Sequence, residues 1–146
     1  MTVNTASARY EGLGKEGRGR VTFSSGVLDA PYGYGTRFEG QPGTNPEEMI
    51  AGAHAACFTM ATSFALARAG HTDGTLETEC KVTLEQSDGG FTVTKSALTL
   101  TGRVPGIERE EFERLAGEAK AGCPISKLLN AEMSLDVTSH EAAPAA

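Results

Sequence analysis

The sequence predicts an α+β fold in which antiparallel sheets pack around one long, buried central helix. Segments that alternate polar and apolar residues lie on both sides of a long helical segment, and a second helical region precedes the last strand. These elements are grouped as strands, helix, strands, helices and strand, which differs from a repeating βαβ series. The 146 residues fit a single domain over 1–138 followed by a flexible C-terminal tail over 139–146.

The first third of the chain has the pattern of β structure. Residues 18–25 alternate apolar and polar side chains, which predicts a strand that Gly26 ends. Proline and glycine residues over 31–35 indicate a loop, and we expect 36–38 to leave it as a short extended segment.

The long helix has clear signals at both ends. Asn45 suits the N-cap, Pro46 suits the first helical position, and Gly70 suits the end of a helix that runs to about Arg68. Small residues on several sides predict close packing of a buried helix. The spacing i, i+4, i+7, i+11 predicts one apolar stripe along it, formed by Ala53, Cys57, Met60 and Phe64.

The second half is predicted to begin with a hairpin. Residues 76–84 alternate strictly, and Asp88-Gly89-Gly90 is a hairpin turn signal before a partner strand over 91–101. The remaining elements are a helix over 108–121, a short helix over 124–130 and a final strand over 132–138.

Charge and composition exclude several functions. The net charge of −6 is unfavourable for binding nucleic acid or an anionic membrane surface. Residues 1–10 lack the apolar core of a signal peptide, and the apolar stretch 49–69 is interrupted by polar and charged side chains that disfavour a membrane span. We therefore expect a cytoplasmic protein, whose three cysteines lie in a reducing compartment.

The three cysteines differ in their predicted surroundings. Cys57 lies mid-helix, so it is either a buried core thiol or a reactive thiol whose thiolate needs a nearby cation. Cys123 precedes Pro124 at a predicted helix N-cap, where it is either an ordinary cap or a stabilised thiolate. Cys80 is predicted to be structural, and His54 is either a base or a hydrogen-bonded helical histidine. The cysteine spacing lacks a metal-binding pattern, so we expect no metal site.

Three segments resemble one protein family. The segments GTNPEEMIAGAHAACF over 43–58 and AGCPIS over 121–126 resemble the signature of the OsmC/Ohr peroxidases, and PYGYGTRFEG over 31–40 resembles the OsmC branch. The resemblance implies an intertwined α+β homodimer with active sites at the subunit interface. It also implies thiol-dependent reduction of organic hydroperoxides, and more weakly of hydrogen peroxide, in oxidative stress defence.

The resemblance also assigns roles to residues. Cys57 matches the peroxidatic cysteine, Cys123 the resolving cysteine, Glu47 the acidic partner and Arg37 the arginine of the OsmC branch. The Ohr branch places its arginine earlier, where the neighbours are Arg18 and Arg20. The chemistry needs no metal or prosthetic group, but it needs an external dithiol reductant, which is lipoyl-type in the Ohr branch.

These roles have a physical rationale. An arginine can stabilise the thiolate and the charge on the leaving oxygen, and Glu47 can hold its guanidinium in a bidentate pair. Glu47 and Cys57 lie ten residues apart, about 15 Å and roughly 80° around one helix, so we expect a second subunit to complete the site. Candidates for an apolar entrance are Phe38, Met49, Ile50 and Phe58.

Two other functions fit the same sequence. The protein could be a non-catalytic module that binds an apolar ligand, with its thiols incidental. It could also be a redox sensor that reacts about once and passes its disulfide to a partner. Repeated turnover with excess reductant distinguishes a peroxidase from both.

Overall fold

The computed structural model describes residues 1–141, with side chains for 1–137. The chain divides into two compact units, Met1–Met49 and Ile50–Ala146, and the single domain expected over 1–138 stays a prediction. Both units contain a three-stranded sheet, and helices accompany each. The predicted α+β class is confirmed.

The first unit is built on an antiparallel sheet. Its strands are β1 (Ala6–Glu11), β2 (Arg18–Phe23) and β3 (Asp29–Tyr32), which pair in that order. A 3-10 turn at Gly14–Glu16 connects β1 to β2. Strand β1 is not predicted from the sequence, because its side chains are all exposed and carry no burial pattern.

A short helix replaces the extended segment predicted after the glycine-rich loop. Helix α1 spans Tyr34–Phe38. The Gly33 N–H donates to Thr36 Oγ1 over 2.8 Å, and that hydroxyl donates back to the Gly33 carbonyl over 3.0 Å. This local side-chain bonding closes a helical turn, so the prediction for 36–38 is wrong.

Helix α2 spans Pro46–Arg68, as predicted. The Glu48 N–H donates to Asn45 Oδ1 over 2.8 Å, which confirms the N-cap. At the other end Gly70 has φ +97°, and the His71 N–H donates to the Leu66 carbonyl over 2.9 Å. These bonds form a Schellman ending that requires the left-handed glycine.

The buried face of α2 differs from the predicted stripe. Met60 and Phe64 are 61% and 58% exposed, so the stripe is not the core face. The residues buried on this helix are His54, Phe58, Thr62, Ala65 and Leu66. Two of these five are polar, and hydrophobicity alone therefore selected the wrong side of the helix.

Length and composition alone would allow α2 to cross a membrane, which corrects the expectation that this stretch is too polar. That property is weak evidence, since core helices of soluble proteins share it. Phe58, Ala65 and Leu66 belong to the hydrophobic core of the second unit, as expected of such a core helix.

The sheet of the second unit is mixed. Strands β4 (Thr75–Ser87) and β5 (Gly90–Arg103) form the predicted hairpin, but β6 (Glu132–Glu141) pairs with β5 in parallel. The expected antiparallel sheet is therefore wrong for β6, because a helical crossover returns the chain in the direction of β5.

The final strand is longer than predicted. It continues to Glu141, three residues beyond the expected end at Thr138, so the first part of the predicted tail is strand. The rest of that tail, 142–146, lies outside the described residues.

The crossover helices complete the core. Helix α3 spans Arg109–Gly122 and helix α4 spans Pro124–Leu128, close to the predicted bounds. Phe112 packs against the strand at Gly102, where an added Cβ would lie 2.3 Å from the ring. The larger buried apolar residues of this core are Phe58, Leu66, Leu98, Leu100, Ile107, Phe112 and Leu115.

Candidate active site

Arg37 and Glu47 form the ion pair that is expected from the sequence. Arg37 lies in α1 and Glu47 in the first turn of α2. Arg37 Nε donates to Glu47 Oε2 over 3.0 Å, and Nη2 donates to Oε1. The hydrogen bond to Glu47 raises the pKa of Arg37, so the guanidinium stays charged and is held in a fixed plane.

The other candidate arginines lie on β2. Arg20 Nε is 2.5 Å from Asp29 Oδ1 in an exposed pair, and Arg18 is exposed on the same strand. Asp29 therefore engages Arg20 at the protein surface, whereas Arg37 has the paired carboxylate that the resemblance implies.

An open cleft of about 310 Å³ borders Arg37. Four of its nine lining residues are aromatic: Tyr10, Tyr32, Tyr34 and Phe38. Phe38, one of the predicted entrance residues, is in this lining. Phe58 is fully buried in the core, so its prediction as an entrance residue is wrong, while Met49 and Ile50 are partly buried.

Cys57 and Cys123 meet in the second unit. Cys57 is partly buried on α2, whereas Cys123 is 1% exposed at the N-cap of α4. The two thiols lie close enough for each to shift the pKa of the other. The structure thus brings together the two cysteines that the resemblance pairs, with Cys57 as the more accessible one.

The two thiols have opposite tendencies to ionise. Burial raises the pKa of Cys57, outweighing a hydrogen bond from the Ile125 backbone, and interaction with Cys123 raises it further. None of these influences is a positive charge. Burial also opposes ionisation of Cys123, but hydrogen bonds from Ser126 and Cys57 outweigh it and lower the pKa of Cys123.

Ser126 and His54 continue the polar contacts behind Cys123. The Ser126 N–H donates to Cys123 Sγ over 3.3 Å, and Ser126 Oγ lies 3.3 Å from the same sulfur. His54 Nε2 is 2.8 Å from Ser126 Oγ, and Nδ1 is 2.6 Å from Ser96 Oγ. Both ring nitrogens thus have partners, as expected of the hydrogen-bonded helical histidine among the two predicted alternatives, and burial lowers the pKa of His54.

Cys80 ends this series of contacts. It lies on the partly buried face of β4, and its sulfur is 3.2 Å from Ser96 Oγ. Burial raises the pKa of Cys80 more than the Ser96 hydrogen bond lowers it. The thiol is therefore protonated, which agrees with the predicted structural role.

Ser96 and Ser126 were not predicted from the sequence. Ser96 occupies a core-facing position on β5 in period with Leu98 and Leu100, and a polar residue in such a position is a detectable signal. Ser126 lies three residues after a capping cysteine, where its backbone N–H reaches the cap.

Comparison with known proteins identifies the family. A family profile described as "OsmC-like protein" matches residues 38–138. The chain belongs to this family. It is 49% identical to Peroxiredoxin OsmC of Escherichia coli (strain K12), over 93% of this chain and 96% of that protein.

The Ohr branch is also similar to this OsmC-like protein. Organic hydroperoxide resistance protein OhrB of Bacillus subtilis (strain 168) is 34% identical over 75% of this chain and 79% of its own length. A crystal structure of OhrB from Bacillus subtilis superposes with a TM-score of 0.69 at 31% identity, covering 92% of this chain and 98% of that one.

The Arg37–Glu47 pair leads to a prediction for turnover. Arg37→Lys keeps the charge but loses the two-pronged contact, so kcat/KM for an alkyl hydroperoxide should fall by about tenfold or more, as expected for a charge-assisted hydrogen bond. A reductant-coupled assay measures this. Arg20→Lys, which alters the exposed pair with Asp29, is the matched control and should retain wild-type kcat/KM. If Arg37→Lys and Arg20→Lys were equally active, the two-pronged contact of Arg37 with Glu47 would have no role in turnover.

Proposed function

We propose that this protein is a two-cysteine peroxidase that reduces organic hydroperoxides, and more weakly hydrogen peroxide, to alcohols in oxidative stress defence. The observation that carries the proposal is the pair of neighbouring thiols, one partly buried and one buried, in a member of the OsmC-like family. The names of its relatives, a peroxiredoxin and an organic hydroperoxide resistance protein, support the same activity.

The first step takes place at Cys57. Its thiolate attacks the terminal oxygen of the hydroperoxide, the O–O bond breaks, and the alkoxide leaves and is protonated to an alcohol. Cys57 becomes a sulfenic acid. Arg37, kept charged and oriented by Glu47, stabilises the thiolate and the charge that develops on the leaving oxygen.

The second step closes a disulfide. The Cys123 thiolate attacks the Cys57 sulfenic sulfur, the S–O bond breaks, and the hydroxide takes up a proton to form water. An external dithiol, of lipoyl type by analogy with the Ohr branch, then reduces the disulfide by exchange. The cycle uses no metal or prosthetic group.

A homodimer can supply a cation to Cys57. In the second unit the groups that set the Cys57 pKa include no positive charge, yet the thiolate requires one. The face of α2 that carries Cys57 also exposes Met60 and Phe64, and burying these side chains favours association. We infer that Arg37 and Glu47 of one copy act on Cys57 of the other.

The alternatives give different behaviour in a turnover assay. A ligand-binding module would not consume hydroperoxide, and a redox sensor would consume about one equivalent and stop. A cytoplasmic location, where thiol reductants are present, stays a prediction.

Substitution of the cysteines tests the peroxidase. Cys57→Ser should abolish hydroperoxide consumption, because the hydroxyl is a far weaker nucleophile than the thiolate. Cys80→Ser is the control and should keep most of the activity, since Cys80 takes no part in the proposed Cys57–Cys123 disulfide. A reductant-coupled assay with an alkyl hydroperoxide and with hydrogen peroxide measures both. Near wild-type turnover by Cys57→Ser would refute the proposed nucleophile.

Mixing two inactive variants tests the subunit arrangement. We expect Cys57→Ser and Glu47→Ala subunits, unfolded and refolded together, to regain activity, because each mixed dimer then has one site with both groups present. Site counting predicts up to about half of the wild-type activity per mixed dimer. Each variant refolded alone is the control. A mixture that stays inactive, or a monomer by light scattering, would contradict the shared site.

A further inference from the structure

A continuous chain of polar side chains runs through the core from Cys80 to Cys123. Its contacts are Cys80 Sγ to Ser96 Oγ, Ser96 Oγ to His54 Nδ1, His54 Nε2 to Ser126 Oγ, and Ser126 Oγ to Cys123 Sγ, at 3.2, 2.6, 2.8 and 3.3 Å. Ser96 and His54 are fully buried, and Ser126 is nearly so. A buried polar network of this kind is retained only when every member is satisfied.

Proton counting restricts the chain to two arrangements. A neutral imidazole has one N–H donor and one acceptor nitrogen, and each hydroxyl has one proton to donate. If Nε2 carries the proton, it donates to Ser126 Oγ, which leaves the Ser126 hydroxyl proton for Cys123. If Nδ1 carries it, Ser126 must donate to Nε2 and presents only lone pairs to the Cys123 sulfur.

The first arrangement favours a thiolate at Cys123, and the second requires a thiol there. A sulfur anion is stabilised by an O–H donor and destabilised by a facing lone pair. At the far end, the protonated Cys80 can donate to Ser96, whose own proton then goes to Nδ1. All four donors then point toward Cys123.

We propose that His54 is a positioning residue that, through Ser126, aims a hydroxyl proton at the resolving sulfur and so sets the reactive fraction of Cys123. This inference rests on the proposed function only in naming Cys123 the resolving cysteine. His54 itself touches neither substrate nor the peroxidatic sulfur in this scheme. Its effect should appear in disulfide closure, because the group it acts on is Cys123.

Among the described side chains, the groups that shift the pKa of Cys123 are Ser126 and Cys57, together with the Ile125 backbone. Helix α2 presents His54 and Cys57, β4 presents Cys80 at the end of the chain, and the β5 residue in the chain is Ser96, which does not titrate. Burial keeps the imidazole neutral, so a pH response of Cys123 between neutral and alkaline pH reports the thiols.

The test measures the pH dependence of Cys123 alkylation, without using activity. Iodoacetamide labelling of the folded Cys57→Ser protein, followed by peptide mass spectrometry, gives the Cys123 rate from pH 6 to pH 10, a range of about four units around the ordinary thiol pKa. Because Cys123 is buried, each rate is divided by the alkaline plateau rate of the same protein, so that differences in access to the sulfur cancel. Addition of Ser126→Ala or His54→Asn should slow labelling at pH 7 by about tenfold and move the midpoint upward. His54→Gln, which can place an amide N–H near the Nε2 position, should restore most of the rate.

Two further variants separate positioning from simple core damage. Ser96→Ala removes only the partner of His54 Nδ1. It should also slow Cys123 labelling, by about threefold. This result remains informative if His54→Asn does not fold. Thr62→Val, which removes another buried hydroxyl from α2, is the matched control and should leave the titration unchanged. An unchanged midpoint in Ser126→Ala and Ser96→Ala, or an equal shift in Thr62→Val, would overturn the proposal.

Closure kinetics connect the result to the reaction. With Cys57 restored, one equivalent of tert-butyl hydroperoxide should form the sulfenic acid no more slowly in Ser126→Ala than in wild type, while disulfide formation at pH 7 slows by about tenfold in the variant. If the alkylation shifts occur but no disulfide forms even in wild type, the positioning role stands and the proposed function fails. If closure is equally fast in both proteins, the positioning role is refuted.

Discussion

The structure depends on satisfying the polar face that α2 turns into the core. A buried imidazole costs several kcal/mol if its nitrogens lack partners, and His54 finds one partner on β5 and one on α4. These contacts fix the rotation of α2 about its axis. With His54 directed inward, Cys57 three residues later lies beside Cys123, and Met60 and Phe64 lie at the surface.

Each of the two units contributes part of the proposed chemistry. The second unit brings the nucleophile and its resolving partner together in surroundings that favour ionisation of Cys123 over Cys57. The first unit prepares a charged, oriented guanidinium next to an aromatic cleft. The thiolate of a peroxidatic cysteine needs such a cation, and the proposed dimer is the means by which one copy supplies it to the other.

Local signals predicted much of the fold. The cap at Asn45, the ending at Gly70 and the hairpin at 88–90 all depend on residues near in sequence, and each is present. The parallel pairing of β6 was missed because the return direction of a strand depends on the whole crossover. The helix at 34–38 is not predicted, because the glycine-rich composition indicates a loop. The helical turn forms because the Thr36 hydroxyl bonds to the Gly33 backbone.

The site was predictable where chemistry and resemblance coincide. The two cysteines and the Arg37–Glu47 pair followed from motifs, and the structure brings the members of each pair together. The prediction of which face of α2 is buried was wrong, because hydrophobicity favours Met60 and Phe64 over His54 and Thr62. Only the partners Ser96, Ser126 and the Phe58 carbonyl make those polar residues suitable for a core, and such long-range partners are invisible to a local pattern.

The central claim is that peroxide oxidises Cys57 and that Cys123 of the same chain resolves it. Its most direct test is peptide mapping of wild-type protein, without reduction, after one equivalent of an alkyl hydroperoxide. The account predicts a Cys57–Cys123 crosslinked peptide, an unmodified Cys80 and a protein that migrates as a single chain under denaturing, non-reducing conditions. A disulfide that includes Cys80, or one that links two chains, would contradict it.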